Sequence, residues 1–206
     1  MNVYFGLDIA TEDARLIIIS DKCEILDRFK TKLANVKIGS DLSRRQDSNS
    51  WGEACAKLIT QAVEKCQVKN WIPQAISITA TSGTFVITDE NGKAISDAVM
   101  YNDGTADDPI SRAQKLAVTG YFKHVPEMVI SHLTKQNFCI TDSSHALKTG
   151  YDLNQKLWQI LAKDLNPASS MLRSVITPAF IDIFYQTSRT YLSSATMLLK
   201  ISPRFL

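Results

Sequence analysis

Glycine is scarce in this chain and stops early. There are eight glycines in 206 residues, and the last is Gly150. At a usual frequency of roughly 7%, the stretch after Gly150 would hold about four more. Tight turns and phosphate loops favour glycine, so this stretch does not read as a nucleotide-binding lobe. Cysteine is sparse too: Cys23, Cys55, Cys66 and Cys139 show no Cys-x-x-Cys spacing and no metal spacing with His124, His132 or His145. The thiols read as reduced and mostly buried in a cytoplasmic protein, and the histidines as surface or helix-packing residues. The net charge is only +2, without a Lys/Arg stripe, which argues against nucleic acid. Arg44-Arg45, Lys30 and Lys32 read as solvated charges. No apolar run is long enough to span a bilayer, and the first residues carry Asp8 without a basic lead or cleavage site, unlike a signal peptide. No membrane partner is expected.

What is present is strongly patterned. Residues 3–34 read as three strands: Val3 to Asp8, Arg15 to Ser20, and a third opened by Cys23 to Leu26, with Asp21-Lys22 as the connection. Residues 35–49 are polar and read as a loop. Trp51, Ala54, Cys55, Leu58, Ile59, Ala62, Val63 and Cys66 follow the three-four spacing of one buried helix face. Ser50 with Glu53 predicts a capping box at its start. Ala75 to Ala80 alternates as a strand. Asn91-Gly92 between Phe85–Thr88 and Ala94–Met100 predicts a hairpin with positive φ at both turn residues. Tyr101 to Gly104 is a turn, and Asp108-Pro109 starts a helix. Further on, Val125–Leu133 predicts a short helix, Phe138–Thr141 a short strand and Leu153–Leu165 a helix. Residues 197–206 suggest either a mildly apolar helix or a disordered tail. Strand, strand, strand, helix, strand is the core order of the ribonuclease H-like fold, an α/β class with a mixed sheet flanked by helices.

Two groups of residues can carry chemistry. Asp8, Thr11 and Arg15 surround a strand-to-strand turn. A carboxylate there can hold Mg²⁺ beside a polyphosphate, and a hydroxyl with free backbone N–H groups can bind phosphate oxygens. The competing view is a strand end and a capped turn. Thr81, Ser82, Gly83 and Thr84, with Asn102 and Asp103, supply hydroxyls, an amide and a carboxylate at strand ends. Such a set suits a polyol, although Ser-Gly and Asp-Gly are also ordinary turn punctuation. A nuclease on the same fold would want several carboxylates around two metals, and Thr81 and Ser82 stand where an acid would be needed.

Taken in order, Gly6 to Thr11 with Arg15, the helix from Trp51, Ala75 to Thr84, the Asp89–Gly92 hairpin, Val99 to Asp103 and Asp142 to Asp152 resemble the first lobe of the FGGY carbohydrate kinases, closest to the ribulose/xylulose-kinase-like branch. The resemblance implies an actin/hexokinase-type fold and transfer of the γ-phosphate of Mg·ATP to a sugar or polyol. It implies that Asp8 and Thr11 face the metal and γ-phosphate, with Arg15 supporting the phosphate turn. Thr81, Ser82 and Gly83 would line the sugar pocket, with Asp103 on sugar hydroxyls and Asn102 beside it. Residues 1–178 would form the lobe, shortened near 120–127, and 179–206 a divergent tail. The chain departs from the family at Ala10, Glu12 and Thr105, where glycine, a small hydroxyl residue and arginine are common. The family's general-base Asp has no match, since the context of Asp182 differs. The expectation is a truncated chain, weakly active or inactive alone, with a possible separately encoded second lobe. The alternatives are a non-catalytic sugar- or partner-binding module and, less favoured, an actin-like assembly protein.

Overall fold

The computed structural model describes residues 1–105, 121–137, 140–155, 157–158, 175–176 and 197–200. Three strands open the chain as an antiparallel meander: β1 (Asn2–Ile9), β2 (Asp13–Ser20) and β3 (Ile25–Lys32). The β2–β3 connection spans four residues rather than two. Cys23 N–H donates to the Ser20 carbonyl at 3.0 Å and Ser20 N–H to the Glu24 carbonyl at 2.9 Å. Cys23 takes φ 61° and is exposed.

The segment expected to be a loop instead holds a short hairpin, β4 (Lys37–Ile38) and β5 (Arg44–Gln46). Polar strands of two and three residues carry too little alternation to be seen in sequence. Helix α1 (Asn49–Lys69) follows. Its predicted capping box does not form, because the helix starts earlier and Ser50 already lies inside it. The cap position is Ser48, without a side-chain cap bond. Asp47 Oδ1 accepts the Asn49 N–H at 3.0 Å, and Ser50 Oγ donates to the Asp47 carbonyl at 2.7 Å. The helix ends at left-handed Asn70, with Trp71 N–H donating to the Cys66 carbonyl at 2.9 Å.

Strand β6 (Ile72–Ala80) returns parallel to β1. Its register slips beside Pro73, which cannot donate to a ladder. Strand β14 (Met197–Lys200) pairs antiparallel with β6, completing the order β14-β6-β1-β2-β3. Residues 197–200 are therefore a strand and neither a helix nor a disordered tail. The core lies between this sheet and α1: Phe5, Leu7, Ile9, Leu16 and Ile18 meet Trp51, Cys55, Leu58 and Ala62, all at most 2% exposed. Alternation in the strands and three-four spacing in the helix generate this contact.

A second, antiparallel sheet has the order β4-β5-β8-β7-β9, built with β7 (Phe85–Thr88), β8 (Ala98–Val99) and β9 (Tyr121–His124). The Asn91-Gly92 turn closes as a bulged type: Gly92 N–H donates to the Asp89 carbonyl at 3.0 Å and only Gly92 has positive φ. Helix α2 (Val125–Thr134) packs on α1. Gly52 permits this approach, since a Cβ there would lie 2.4 Å from the His132 ring.

The remaining described elements are β10 (Thr141–Asp142), α3 (Ser143–Leu147), β11 (Tyr151–Asp152), β12 (Leu157–Trp158) and β13 (Val175–Ile176). β12 pairs with β11, so the helix expected from Leu153 does not begin there. The helix start at Asp108-Pro109, Cys139 and Asp182 lie outside the described residues. Among the described residues, no helix is long and apolar enough to cross a membrane.

Candidate functional site

The first group sits where β1 turns into β2. Asp8 pairs in register with Arg15 on β2 and with Thr79 on β6. Ala10 N–H donates to the Asp13 carbonyl at 3.0 Å, closing the turn. Ala10 is absent from the positive-φ residues, so its methyl group is carried without backbone strain. Arg15 straps the turn, with Nε 2.7 Å from Asp13 Oδ1 and Nη1 3.5 Å from Asp8 Oδ2. Asp13 is buried and also meets Lys30 Nζ at 2.8 Å. Lys30 first, then Arg15, hold its carboxyl below the usual carboxylate range. Lys30 is thus part of the turn's foundation rather than a free edge charge.

Asp8 keeps 45% of its side chain exposed. It lines a cavity of about 330 Å³ with Gly6, Ile17, Ser77, Thr79 and Arg15, within the range of ligand pockets. Among the described residues no group of three or more His, Cys, Asp or Glu side chains could hold a metal. A lone accessible carboxylate still fits Mg²⁺, which commonly takes one or two carboxylates and fills its sphere with phosphate oxygens and water. Glu12 points outward at 81% exposure, and Lys32 Nζ stands 3.7 Å from it, offsetting part of its charge.

The second group meets the first through strand ends. Thr81 N–H donates to the Ile9 carbonyl at 3.1 Å. Thr11 and Thr81 line one cavity of about 10 Å³ with Ala10, Gln46 and Thr84. Gly83 has φ +83°, and a Cβ there would lie 3.3 Å from Lys148 Cβ and 3.4 Å from Tyr101 Cβ. Tyr101 N–H donates to Thr84 Oγ1 at 3.1 Å. Segments 81–84, 101–102 and the end of α3 therefore converge. Ser82 is half-buried and Asn102 exposed.

Asp103, expected to face sugar hydroxyls, is instead enclosed, with none of its side chain exposed. Its Oδ2 accepts the Arg44 N–H at 2.7 Å and a close contact from Arg45 Nη1, while Oδ1 accepts the Thr105 N–H at 3.1 Å and the Thr105 hydroxyl. Arg45 is correspondingly not a solvated charge. Asp103 organises the 101–105 turn.

Sequence reasoning also missed a buried polar cluster beneath this region. Of the two alternatives read for His124 and His145, burial excludes the surface one: both are enclosed, at the start of α2 and within α3. Glu127 Oε2 accepts the His124 N–H at 2.5 Å and lies 3.0 Å from its Nδ1. His124 Nδ1 also meets Thr141 Oγ1 at 2.9 Å, and Nε2 meets Thr149 Oγ1 at 3.1 Å. One imidazole thus ties β9 to both ends of segment 141–149. Among the described residues, His145 has no hydrogen-bond partner at either ring nitrogen, and its Nε2 is 3.7 Å from Asp142 Oδ2. Burial, then the neighbouring His124, push its pKa down to about 4. The only signal in sequence was histidine at unexplained positions.

Known proteins are similar to this chain in sequence or in fold. The xylulose kinase of Staphylococcus epidermidis is 26% identical over 101 residues, 49% of this chain and 20% of its own length. Two solved structures superpose well: Plasmodium falciparum glycerol kinase with ADP (TM-score 0.73, 17% identity, 87% of this chain and 44% of that one), and ligand-bound xylulose kinase from Lactobacillus acidophilus (TM-score 0.71, 14% identity, 86% and 42%). The chain spans about a fifth of the curated relative and less than half of either solved one. The fold is the ribonuclease H-like one read from the strand order, of the actin/hexokinase type that the resemblance implied. The profile of the FGGY family of carbohydrate kinases, N-terminal domain, matches residues 3–133, most of the chain, and the chain belongs to that family.

Proposed function

We propose that this chain is the sugar-side lobe of an ATP-dependent kinase that phosphorylates a pentulose such as ribulose or xylulose. The observation that carries the reading is the bond from the Thr81 N–H to the Ile9 carbonyl at 3.1 Å, which sets the 81–84 loop against the start of the β1–β2 turn. Phosphoryl transfer depends on such juxtaposition and on charge neutralisation more than on covalent help from the protein. Thr11 and the backbone N–H groups of its turn bind phosphate oxygens. Asp8 holds Mg²⁺, which when bound neutralises charge on the transferring phosphates. Arg15 supports the turn through Asp13 and Asp8. Thr81, Ser82, Gly83 and Asn102 contact the sugar, and Asp103 fixes the turn that presents Asn102. No described residue is assigned as general base.

Residues 1–178 form the body of this lobe in our reading, and Met197–Lys200 add an edge strand to its sheet. A second lobe, on the same polypeptide or a separate one, supplies the adenine site and excludes water. The 206-residue chain alone is then weakly active or inactive, and it works in the cytoplasm. An ADP-release assay with ribulose and xylulose tests this directly. Calorimetry with each pentulose, with and without Mg·ATP, separates the kinase lobe from a non-catalytic sugar-binding module. Turnover at ordinary kinase rates by the chain alone contradicts the need for a second lobe. Failure to bind any pentulose contradicts the sugar site.

A further inference from the structure

Strand β5 touches both halves of the site through two consecutive residues. Gln46 is 1% exposed. Its Nε2 donates to the Thr11 carbonyl at 2.8 Å and to the Ala34 carbonyl at 2.6 Å, and its Oε1 accepts the Trp51 indole N–H at 2.8 Å. Two carbonyls require the NH₂ end and the indole requires the oxygen, so only one orientation of the amide fits. A buried amide with both donors and its oxygen engaged locks what it touches, because each lost bond leaves an unsatisfied partner. It touches the peptide at the centre of the phosphate turn, the residues following β3, and the first turn of α1. The preceding residue, Arg45, reaches Asp103 in the 101–105 turn. Both residues are held in register against β8 by the pairs Arg45↔Val99 and Gln46↔Ala98.

We infer that Gln46 is a positioning residue for the phosphate turn and Arg45 its counterpart for the sugar-side turn, with β5 setting the spacing between the two half-sites. The inference rests on the kinase reading for what the turns bind, but not for how they are held. With its amide engaged by Thr11, Ala34 and Trp51, Gln46 acts on a ligand indirectly. Its effect runs through the Thr11 carbonyl, which fixes where the Thr11 hydroxyl and the neighbouring N–H groups point.

The test uses the full 206-residue chain, isotope-labelled, with Gln46→Met, Gln46→Glu and Arg45→Met. Gln46→Met keeps the volume and removes the donors. Gln46→Glu keeps the shape and the acceptor for Trp51 but, when ionised, sets oxygen against the Thr11 and Ala34 carbonyls. Amide hydrogen exchange is followed at Ala10 and Leu33, whose N–H groups close the turn on Asp13 and Glu12, and at Asp103 and Thr105. Loss of one such bond is worth about a tenfold change in a local equilibrium. Both Gln46 variants are expected to speed exchange at Ala10 and Leu33 about tenfold while Asp103 and Thr105 stay near wild type. Arg45→Met is expected to do the reverse. With Mg·ADP and D-xylulose as probes, Gln46→Met weakens Mg·ADP about tenfold and leaves xylulose within about twofold. A merely structural role would instead raise exchange everywhere in step with lost global stability, and that result overturns the inference, as does unchanged exchange at Ala10 and Leu33. If wild type binds neither probe, the kinase reading fails while the exchange data still decide the role of Gln46. Should both Gln46 variants fail to fold, wild type decides. Its Gln46 side-chain amide protons are expected to exchange at least about tenfold more slowly than those of exposed Gln61, and equal rates overturn the inference.

Discussion

The two sheets of this molecule share an apolar core but differ in the buried polar groups that stand beside it. The β1–β2–β3–β6 sheet rests on α1 through a continuous apolar contact in which Phe5, Leu7, Ile18 and Leu58 are essentially inaccessible. The β4-β5-β8-β7-β9 sheet also buries Phe85, Val86, Val99 and Phe122, and it and the segments around it add directional bonds from buried polar side chains: Gln46, Asp103, His124, Glu127 and Asp142. Apolar contacts tolerate small shifts, whereas an amide or carboxylate bonded at each of its polar atoms specifies one geometry. The first sheet supplies a scaffold, and the second fixes where the loops point.

That contrast can be broken from either side. The largest effect is expected from the apolar side. Leu58→Ala should cost about 3 kcal/mol in denaturant unfolding, with amide shifts in the 81–84 and 101–105 loops unchanged once folded. A loss under about 1 kcal/mol, or loop shifts as large as those near α1, would mean the scaffold and the loops are not separable.

Acid should strike the polar side first. His145 faces His124, Asp142 and Glu127, and its folded pKa is lowered to about 4 from an ordinary 6.5. Between those values the unfolded chain binds the extra proton, so stability rises with pH across this window and is unaffected by this group above it. A loss on the order of 2–3 kcal/mol is expected as pH falls from about 6.5 to 4, and His145→Gln should flatten that slope. An unchanged slope in the variant would assign the acid sensitivity elsewhere. Asp13 contributes in a separate window: its lowered pKa gives stability present above the ordinary carboxylate range and lost as pH falls through the folded value.

Gly83→Ala tests the convergence of the loops. The residue has φ +83° and two Cβ neighbours at 3.3 and 3.4 Å, so a cost of about 1–2 kcal/mol is expected, together with shifts at Tyr101 and Lys148. A silent substitution would show that these segments do not meet. The smallest perturbation is chemical labelling. Burial pushes the Cys55 thiol up to about 12 and raises Cys66, whereas Cys23 is exposed. Alkylation of the native chain at pH 8, mapped by peptide mass, should modify Cys23 well before either of the others.

The same division decides how much was legible in the sequence. Strands of eight residues with alternating Val, Phe, Leu and Ile declare themselves, as does a helix with eight apolar positions on one face. The β1–β2 turn was placed because Asp8, Thr11 and Arg15 sit at a strand junction. The polar half was opaque for a physical reason. Whether Gln46 is a surface amide or a buried clasp, or Asp103 a ligand or a brace, depends on partners 12 to 59 residues away, and no local pattern records them. Residues 44–46 read as loop because two arginines and a glutamine have no strand signature. His124 and His145 read as surface or helix-packing residues for the same reason, and Thr141, Thr149 and Glu127 decide between these in three dimensions.

The central claim is that one lobe presents a phosphate turn and a sugar loop side by side. Paramagnetic broadening by Mn²⁺·ADP, followed by titration with D-xylulose on the same labelled chain, tests it most directly. The account predicts bleached amides at residues 8–12 with the β3 edge spared, then sugar-dependent shifts at Thr81, Ser82, Gly83 and Asn102. Broadening centred elsewhere, or xylulose shifts remote from residues 81–83, would contradict it.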